Sequence, residues 1–250
     1  MKKDQKIEFT IVVPSYNNEV WVERNLHSIC SQTYPHFQVV YIDDASTDAT
    51  FTIATEFVKK GKLQKKVAIV RNTERKGSLA NLYATIHTIT PEKVVIIVDG
   101  DDFLAHNGVL ERLAKEYTNK NVWMTYGNFK TEPTILGRHA EKVPEEAFAR
   151  TFDQWTIHHL ISFYAKLFQC IQKEDFLSHG KFFMTSGDIA IDFPLFEMAT
   201  SKHARFIPDI LYIHNLLNPL SDFRAHMTHQ LRTGDIIHKK KPYKPLKKLF

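Results

Sequence analysis

The chain has 250 residues, 43% of them hydrophobic and 24% charged, with a formal net charge of +5. That balance supports a sizeable core and excludes a disordered or fibrous chain. Two cysteines, Cys30 and Cys170, exclude a disulfide framework and fit a reducing compartment. No apolar run reaches the length of a membrane span, and the charged N-terminus lacks a secretory core, so the expected location is cytoplasmic, at most peripheral to a membrane.

In chain order, Phe9–Val13 is apolar and β-branched and reads as a strand ended by Pro14-Ser15. Val20–Ser31 has helical apolar spacing through Val22, Leu26, Ile29 and Cys30. Phe37–Ile42 reads as a second strand, ended by Asp43-Asp44. Thr50–Lys60 follows as a helix with Asp48 placed to cap it. Val67–Val70, Val94–Val98 and Val122–Tyr126 read as further strands, and Leu79–Ile89 and Val109–Tyr117 as helices between them. In the less regular second half, Asn128–Thr156 reads as an insertion or loop. Ile157–Ile171 and Ile189–Ala199 read as helices, Arg205–Ile213 as a strand and Arg224–His238 as a polar helix.

Strands alternating with helices predict an α/β fold, a mostly parallel central sheet with helices on both faces. Three organisational units are expected: residues 1–126 as the ligand-binding α/β half, 127–222 as a second functional region, and 223–250 as a C-terminal helix and basic tail. Ligands of open α/β sheets bind beyond the carboxyl ends of the strands. Pro14-Ser15-Tyr16-Asn17, Asp43-Asp44 and Asp99-Gly100-Asp101-Asp102 each follow a strand directly, so parallel strands bring them to one edge.

The stretch Asp99–Asp102 carries the most chemistry. Three carboxylates within four residues repel one another at the end of a buried strand. A hard divalent cation relieves that repulsion and completes its shell with substrate phosphates. A solvated acidic turn, with Gly100 at positive φ, accounts for the same letters. At Asp43-Asp44, a carboxylate can accept a hydrogen bond from a base or ribose, and helix capping is the competing account of the nearby Ser46 and Asp48. Tyr16 can stack on a base or simply pack. Arg71-Asn72 and Lys76-Gly77-Ser78 place cations and a helix start where an anion is favoured.

Other chemistries are excluded by pattern. The chain has no phosphate-binding Gly-x4-Gly-Lys-Ser/Thr, no Gly-x-Gly-x-x-Gly, no His-Glu-x-x-His and no Cys-x-x-Cys. Asp188, after Thr185-Ser186-Gly187, reads either as a helix cap or as a general base, with Asp192 one turn later as its competitor. His214 follows the late strand. Lys239, Lys240, Lys241, Lys244, Lys247 and Lys248 form a basic end, read as a solvated tail or as a contact for anionic lipid rather than for nucleic acid.

Four linked motifs then carry a resemblance: Thr10–Asn17, Tyr41–Asp48, Arg71-Asn72 with Lys76-Gly77, and Val98–Asp102. Over residues 7–126 their order and spacing resemble family 2 glycosyltransferases of the GT-A fold. The resemblance implies transfer of a sugar from a nucleotide-diphosphate donor, usually UDP-linked, to a hydroxyl with inversion. It implies Mn²⁺ or Mg²⁺ as cofactor and a C-terminal half that reads the acceptor, whether glycan, lipid-linked or protein. Pro14, Tyr16, Asp44 and Arg71 look like contacts on the nucleotide side. Asp99 looks like a ribose or nucleotide contact, and Asp101 like the metal ligand with Asp102 nearby. Gly187-Asp188 stands where the family carries its acidic base, without the usual preceding Glu. A looser likeness continues through Ser162–Phe168, Pro194–Met198 and Ile207–Tyr212. The competing classes are a non-catalytic nucleotide-sugar binder and, behind it, a sugar-phosphate nucleotidyltransferase. The latter would want a Gly-rich, Arg-containing loop where this chain has Pro14-Ser15-Tyr16-Asn17.

Overall fold

The computed structural model describes residues 6–135, 141–143, 159–220 and 227–250. Its first half follows the expected alternation: β1 (Phe9–Ser15), α1 (Val22–Cys30), β2 (Phe37–Asp43), α2 (Thr50–Lys60), β3 (Val67–Arg71), α3 (Ser78–Ile86), β4 (Val94–Ile97), β5 (Phe103–Leu104) and α4 (Val109–Tyr117). The strands β1 and β2, β2 and β3, and β1 and β4 pair in parallel. Alternation in these strands sends Phe9, Ile11, Val13, Val39 and Tyr41 into one apolar layer and Val12, Ile42 and Val95 into the other. In α1, Val22, Asn25, Leu26 and Ile29 form the buried stripe.

The second half adds β6 (Met124–Glu132), β7 (Ser162–Tyr164), α5 (Ala165–Phe168), the short hairpin of β8 (Leu177–Ser178) and β9 (Lys181–Phe182), α6 (Gly187–His203), β10 (Ala204–Asn215) and α7 (Met227–His238). The main sheet runs β3-β2-β1-β4-β7-β6-β10-β5. β6 and β10 are parallel, whereas β7 is antiparallel to both β4 and β6, and β10 is antiparallel to β5. Strands from both halves of the chain thus build one mostly parallel sheet.

Several sequence-based expectations need correction. The fifth strand begins two residues later than expected and continues to Glu132. The helix expected over Ile157–Ile171 is, from Ser162 on, a central strand followed by one turn of helix, with residues 157 and 158 outside the described set. The reason is burial on both faces. Phe163 is enclosed in the core, while Ser162 lies at hydrogen-bond distance from the Tyr117 hydroxyl at 2.9 Å and from Thr125 Oγ1 at 2.6 Å. Such a segment has no polar side to give it a strand's period. Of the loop expected over Asn128–Thr156, the first residues belong to β6, and most of the remainder falls outside the described residues.

The basic end is also not the solvated tail that was one reading of its sequence. Tyr243 N donates to Glu197 Oε2 at 2.9 Å, Leu246 N donates to the Met198 carbonyl at 3.0 Å, and the Tyr243 hydroxyl donates to Asp175. Lys240 Nζ donates to the carbonyls of Glu174 and Leu177. Leu249 is buried and Phe250 packs edge-on against Tyr164. Lys239, Lys241, Lys244, Lys247 and Lys248 remain exposed.

Candidate active site

Parallel pairing brings the ends of β1, β2, β3 and β4 to one edge of the sheet. On the β2–β3 side, Asp44 is buried at 3% exposure. Its carboxylate accepts from Asn72 Nδ2 at 2.7 Å, Lys76 N at 2.9 Å and Gly77 N at 2.8 Å. Burial raises its pKa, but the amides of Asn81, Lys76, Asn72 and Gly77 outweigh burial and hold it below the ordinary value. Asp44 therefore organises the entrance to α3. Gly77 takes φ +89° there, and a Cβ on it would come within 2.9 Å of Met184 Sδ. Asp43 is wholly buried, with neither carboxylate oxygen hydrogen-bonded. Arg71 Nε lies 3.4 Å from it, and the Arg71 guanidinium sits over the Phe51 ring. Ala45, Ser46, Arg71, Asn72 and Thr73 line a cavity of about 400 Å³ beside these groups, within the size range of ligand clefts. Tyr16 lies at the same edge, with the Arg75 guanidinium 4.0 Å above its ring. Pro14 serves the frame, its carbonyl accepting from Gly100 N at 3.1 Å.

The acidic turn after β4 is clamped by its backbone. Asn25, fully buried on α1, donates through Nδ2 to the carbonyls of Asp99 at 2.9 Å and Asp102 at 2.8 Å. Gly100 does not adopt positive φ, contrary to the turn reading. A Cβ on it would stand 2.5 Å from Ser15 Oγ, so glycine is required by close approach to the end of β1.

The three carboxylates of this turn differ. Asp102 is buried, and its oxygens accept from His214 Nδ1 at 3.1 Å and Asn215 N at 2.7 Å. Asp101 accepts from Asn218 Nδ2 at 2.7 Å. Among the described residues nothing donates to the Asp99 carboxylate. Burial, then the field of Asp102, pushes Asp101 up to about 6. The same causes in the same order, joined by Asp101, raise Asp99 well above the ordinary range. At His214, burial opposes the charged form, but the bond to Asp102 and the field of the neighbouring acids outweigh it and raise its pKa.

Asp188 occupies the first turn of α6 behind Ser186, whose φ of 57° is left-handed. It is open to solvent, yet enough protein surrounds it that burial raises its pKa. Its charge also contributes to raising Asp99. Asp192, one turn on, is only 5% exposed and is raised well above the ordinary range by burial and then by Asp188.

Of the expected residues, Asp99 and Asp101 share the acidic turn and Asp188 lies near enough for its charge to act on Asp99, whereas Asp44 and Asp102 are engaged by donors of the fold. Sequence reasoning missed Asn25, Asn215 and Asn218. The pattern Asn215-Leu216-Leu217-Asn218-Pro219 directly after a strand was the available signal for the last two. Among the described residues no three His, Cys, Asp or Glu converge on one point. A cation would therefore rest on Asp101, with Asp99 beside it, and fill its shell with ligand oxygens, which suits Mg²⁺ or Mn²⁺ and the all-oxygen donor set.

The profile of the glycosyl transferase family 2 matches residues 10–189. The chain belongs to that family. Its relatives include glycosyltransferase GlyG of Streptococcus pneumoniae, 28% identical over 48% of this chain and 38% of the relative. The poly(ribitol-phosphate) beta-N-acetylglucosaminyltransferase TarS of Staphylococcus aureus is 32% identical over 39% of this chain and 17% of its own length. The matches thus span well under half the length of these relatives. The fold matches that of S. aureus TarS 1–349 in complex with UDP-GlcNAc, with TM-score 0.65 and 18% identity over 92% of this chain and 66% of that one. It equally matches the mannosyltransferase PcManGT of Pyrobaculum calidifontis in complex with GDP-Man and Mn²⁺, with TM-score 0.65 and 20% identity over 96% of this chain and 66% of that one. The α/β architecture with its mostly parallel sheet is that of the GT-A glycosyltransferases.

Proposed function

We propose that the chain is an inverting glycosyltransferase that moves a sugar from a nucleotide-diphosphate donor, UDP-linked, to the hydroxyl of a glycan, lipid-linked or protein acceptor. The observation that carries this reading is the carboxylate turn Asp99–Asp102 at the end of β4, with Asp188 at the start of α6 near enough for its charge to act on Asp99. The neighbours solved with UDP-GlcNAc and with GDP-Man and Mn²⁺ support the donor class.

In this mechanism the cavity by Arg71 and the ring of Tyr16 receive the nucleoside, and Asp99 accepts from the ribose hydroxyls. Asp101 would hold the divalent cation, which when bound neutralises charge on the departing diphosphate. Asp188 Oδ takes the proton of the acceptor hydroxyl as it attacks, and its raised pKa makes it a better base than a carboxylate of ordinary pKa. One in-line displacement needs one base and no enzymic nucleophile, consistent with inversion. The test is nucleotide release from a panel of UDP- and GDP-sugars, with Mn²⁺ and with EDTA. Release that requires the metal is expected. A donor that binds without ever being hydrolysed or transferred would make the protein a binder, and release untouched by EDTA would remove the cation.

For location we propose the cytoplasmic face of a membrane, approached through the exposed lysines of residues 239–248. Each lysine near an anionic surface contributes ~1 kcal/mol. Salt-sensitive co-sedimentation with phosphatidylserine vesicles is expected. Absence of binding at low salt rejects it.

A further inference from the structure

The turn that leaves β10 reaches back to the acidic turn through two buried asparagines. Asn215 N donates to Asp102 Oδ1 at 2.7 Å, and its Nδ2 donates to the Asp101 carbonyl at 3.1 Å. Asn218 is 6% exposed and its amide is fully engaged. Its Nδ2 donates to Asp101 Oδ2 at 2.7 Å and to Asn18 Oδ1 at 3.2 Å, while its Oδ1 accepts from Leu220 N at 3.0 Å. Among the described residues no other side chain donates to the Asp101 carboxylate.

The chemistry of that single donor matters. A lysine or arginine in its place would orient Asp101 but cancel its charge and compete with a cation. A carboxamide orients without cancelling. It fixes Oδ2 while the negative charge of the carboxylate is kept. The donor is itself held. Asn18, its second acceptor, donates to Ser15 Oγ at 3.0 Å, and both pack against Gly100. The rotamer of Asp101 is thereby fixed from β1, β4 and β10 together.

We propose that Asn218 is a positioning residue for the divalent cation, acting through Asp101; this rests on the reading of Asp101 as the cation-bearing carboxylate. Partners that orient a metal ligand typically change metal affinity by ~10–100-fold when removed. Asn218→Ala should therefore weaken Mn²⁺ by ~10-fold or more, read from the electron paramagnetic resonance of unbound Mn²⁺ titrated into protein with UDP. Turnover should recover at high Mn²⁺ with kcat near wild type, a shift that a residue serving only the loop's stability would not produce. A folded Asn218→Ala protein with wild-type Mn²⁺ affinity overturns the proposal.

Should that variant not fold, the wild-type protein decides. With isotope-labelled asparagine, the Asn218 side-chain amide resonance should broaden at substoichiometric Mn²⁺ with UDP, and an untouched resonance overturns the proposal. Asp101→Ala separates the two readings. If it binds Mn²⁺ like wild type, the cation site itself is misplaced. If it loses Mn²⁺ while Asn218→Ala does not, only the role of Asn218 falls.

Discussion

Two strand ends carry clustered acids, and the fold treats them in opposite ways. After β2, Asp44 meets backbone and side-chain amides that depress its pKa, so its charge is satisfied by the protein. After β4, Asp99 and Asp101 meet burial and then the field of Asp102, and their pKa values rise. Asp44 is a structural anchor in one turn, whereas in the other the Asp99 carboxylate has no donor among the described residues and the Asp101 carboxylate has only Asn218 as a side-chain donor. The difference lies in donors. The loop into α3 offers its N–H groups to Asp44, whereas Asn25 binds the backbone carbonyls of Asp99 and Asp102 and donates to no carboxylate of the acidic turn. Unsatisfied buried charge is costly, and it persists where a ligand supplies what the fold withholds.

The largest expected effect tests the unsatisfied side. Asp188→Asn should leave donor affinity near wild type and lower transfer by ~10²-fold or more, the usual scale for a lost general base. Steady-state kinetics with separate donor binding measures this, and equal transfer would shift the role to Asp192. Next, Asp44→Ala should destabilise the fold by ~1–3 kcal/mol by stranding the Lys76 and Gly77 amides, whereas Asp101→Asn should not destabilise the metal-free protein. Denaturant midpoints compare the two, and the reverse ranking would break the contrast.

The pH dependence comes third. For Asp101, with a folded pKa of about 6, the folded state holds more protons than the unfolded one between the ordinary carboxylate value and that raised one. Stability of the metal-free protein should therefore rise as pH falls through this window, by ~1 kcal/mol or more. Asp44 has the opposite sign, and its contribution is present at neutral pH and is lost once pH falls below the ordinary carboxylate value. Thermal melts across pH should show a maximum between these regimes, flattened on the neutral side by Asp101→Asn. The smallest effect is the control. Replacing Lys239, Lys241, Lys244, Lys247 and Lys248 by Gln should change stability within ~0.5 kcal/mol, because these side chains belong to neither turn.

The strand-end loops were legible because the β-branched runs before them and the acids within them are local signals. What the acids do was not legible, because it depends on partners far along the chain. Asn72 and Gly77 reach Asp44 across 28 and 33 positions, and Asn218 reaches Asp101 across 117. The strand at Ser162–Tyr164 lacked a period because both its faces are enclosed. The basic end read as solvent-facing because lysine dominates its composition, while Tyr243, Leu246 and Leu249 between the lysines do the docking.

The place of β7 bears on how this protein could be recombined. A strand from the second half of the chain stands between β4 and β6, pairing Val94–Ile96 on one side and Met124-Thr125 on the other. Cutting the chain after residue 126 would leave Val94–Ile97 as a bare apolar edge, the kind that pairs with other molecules. The first 126 residues are therefore not a cassette that can be exchanged for that of a relative by joining at a linker. A chimera that keeps its solubility has to carry residues 162–164 together with β4, so the two halves of the chain are inherited through one shared sheet.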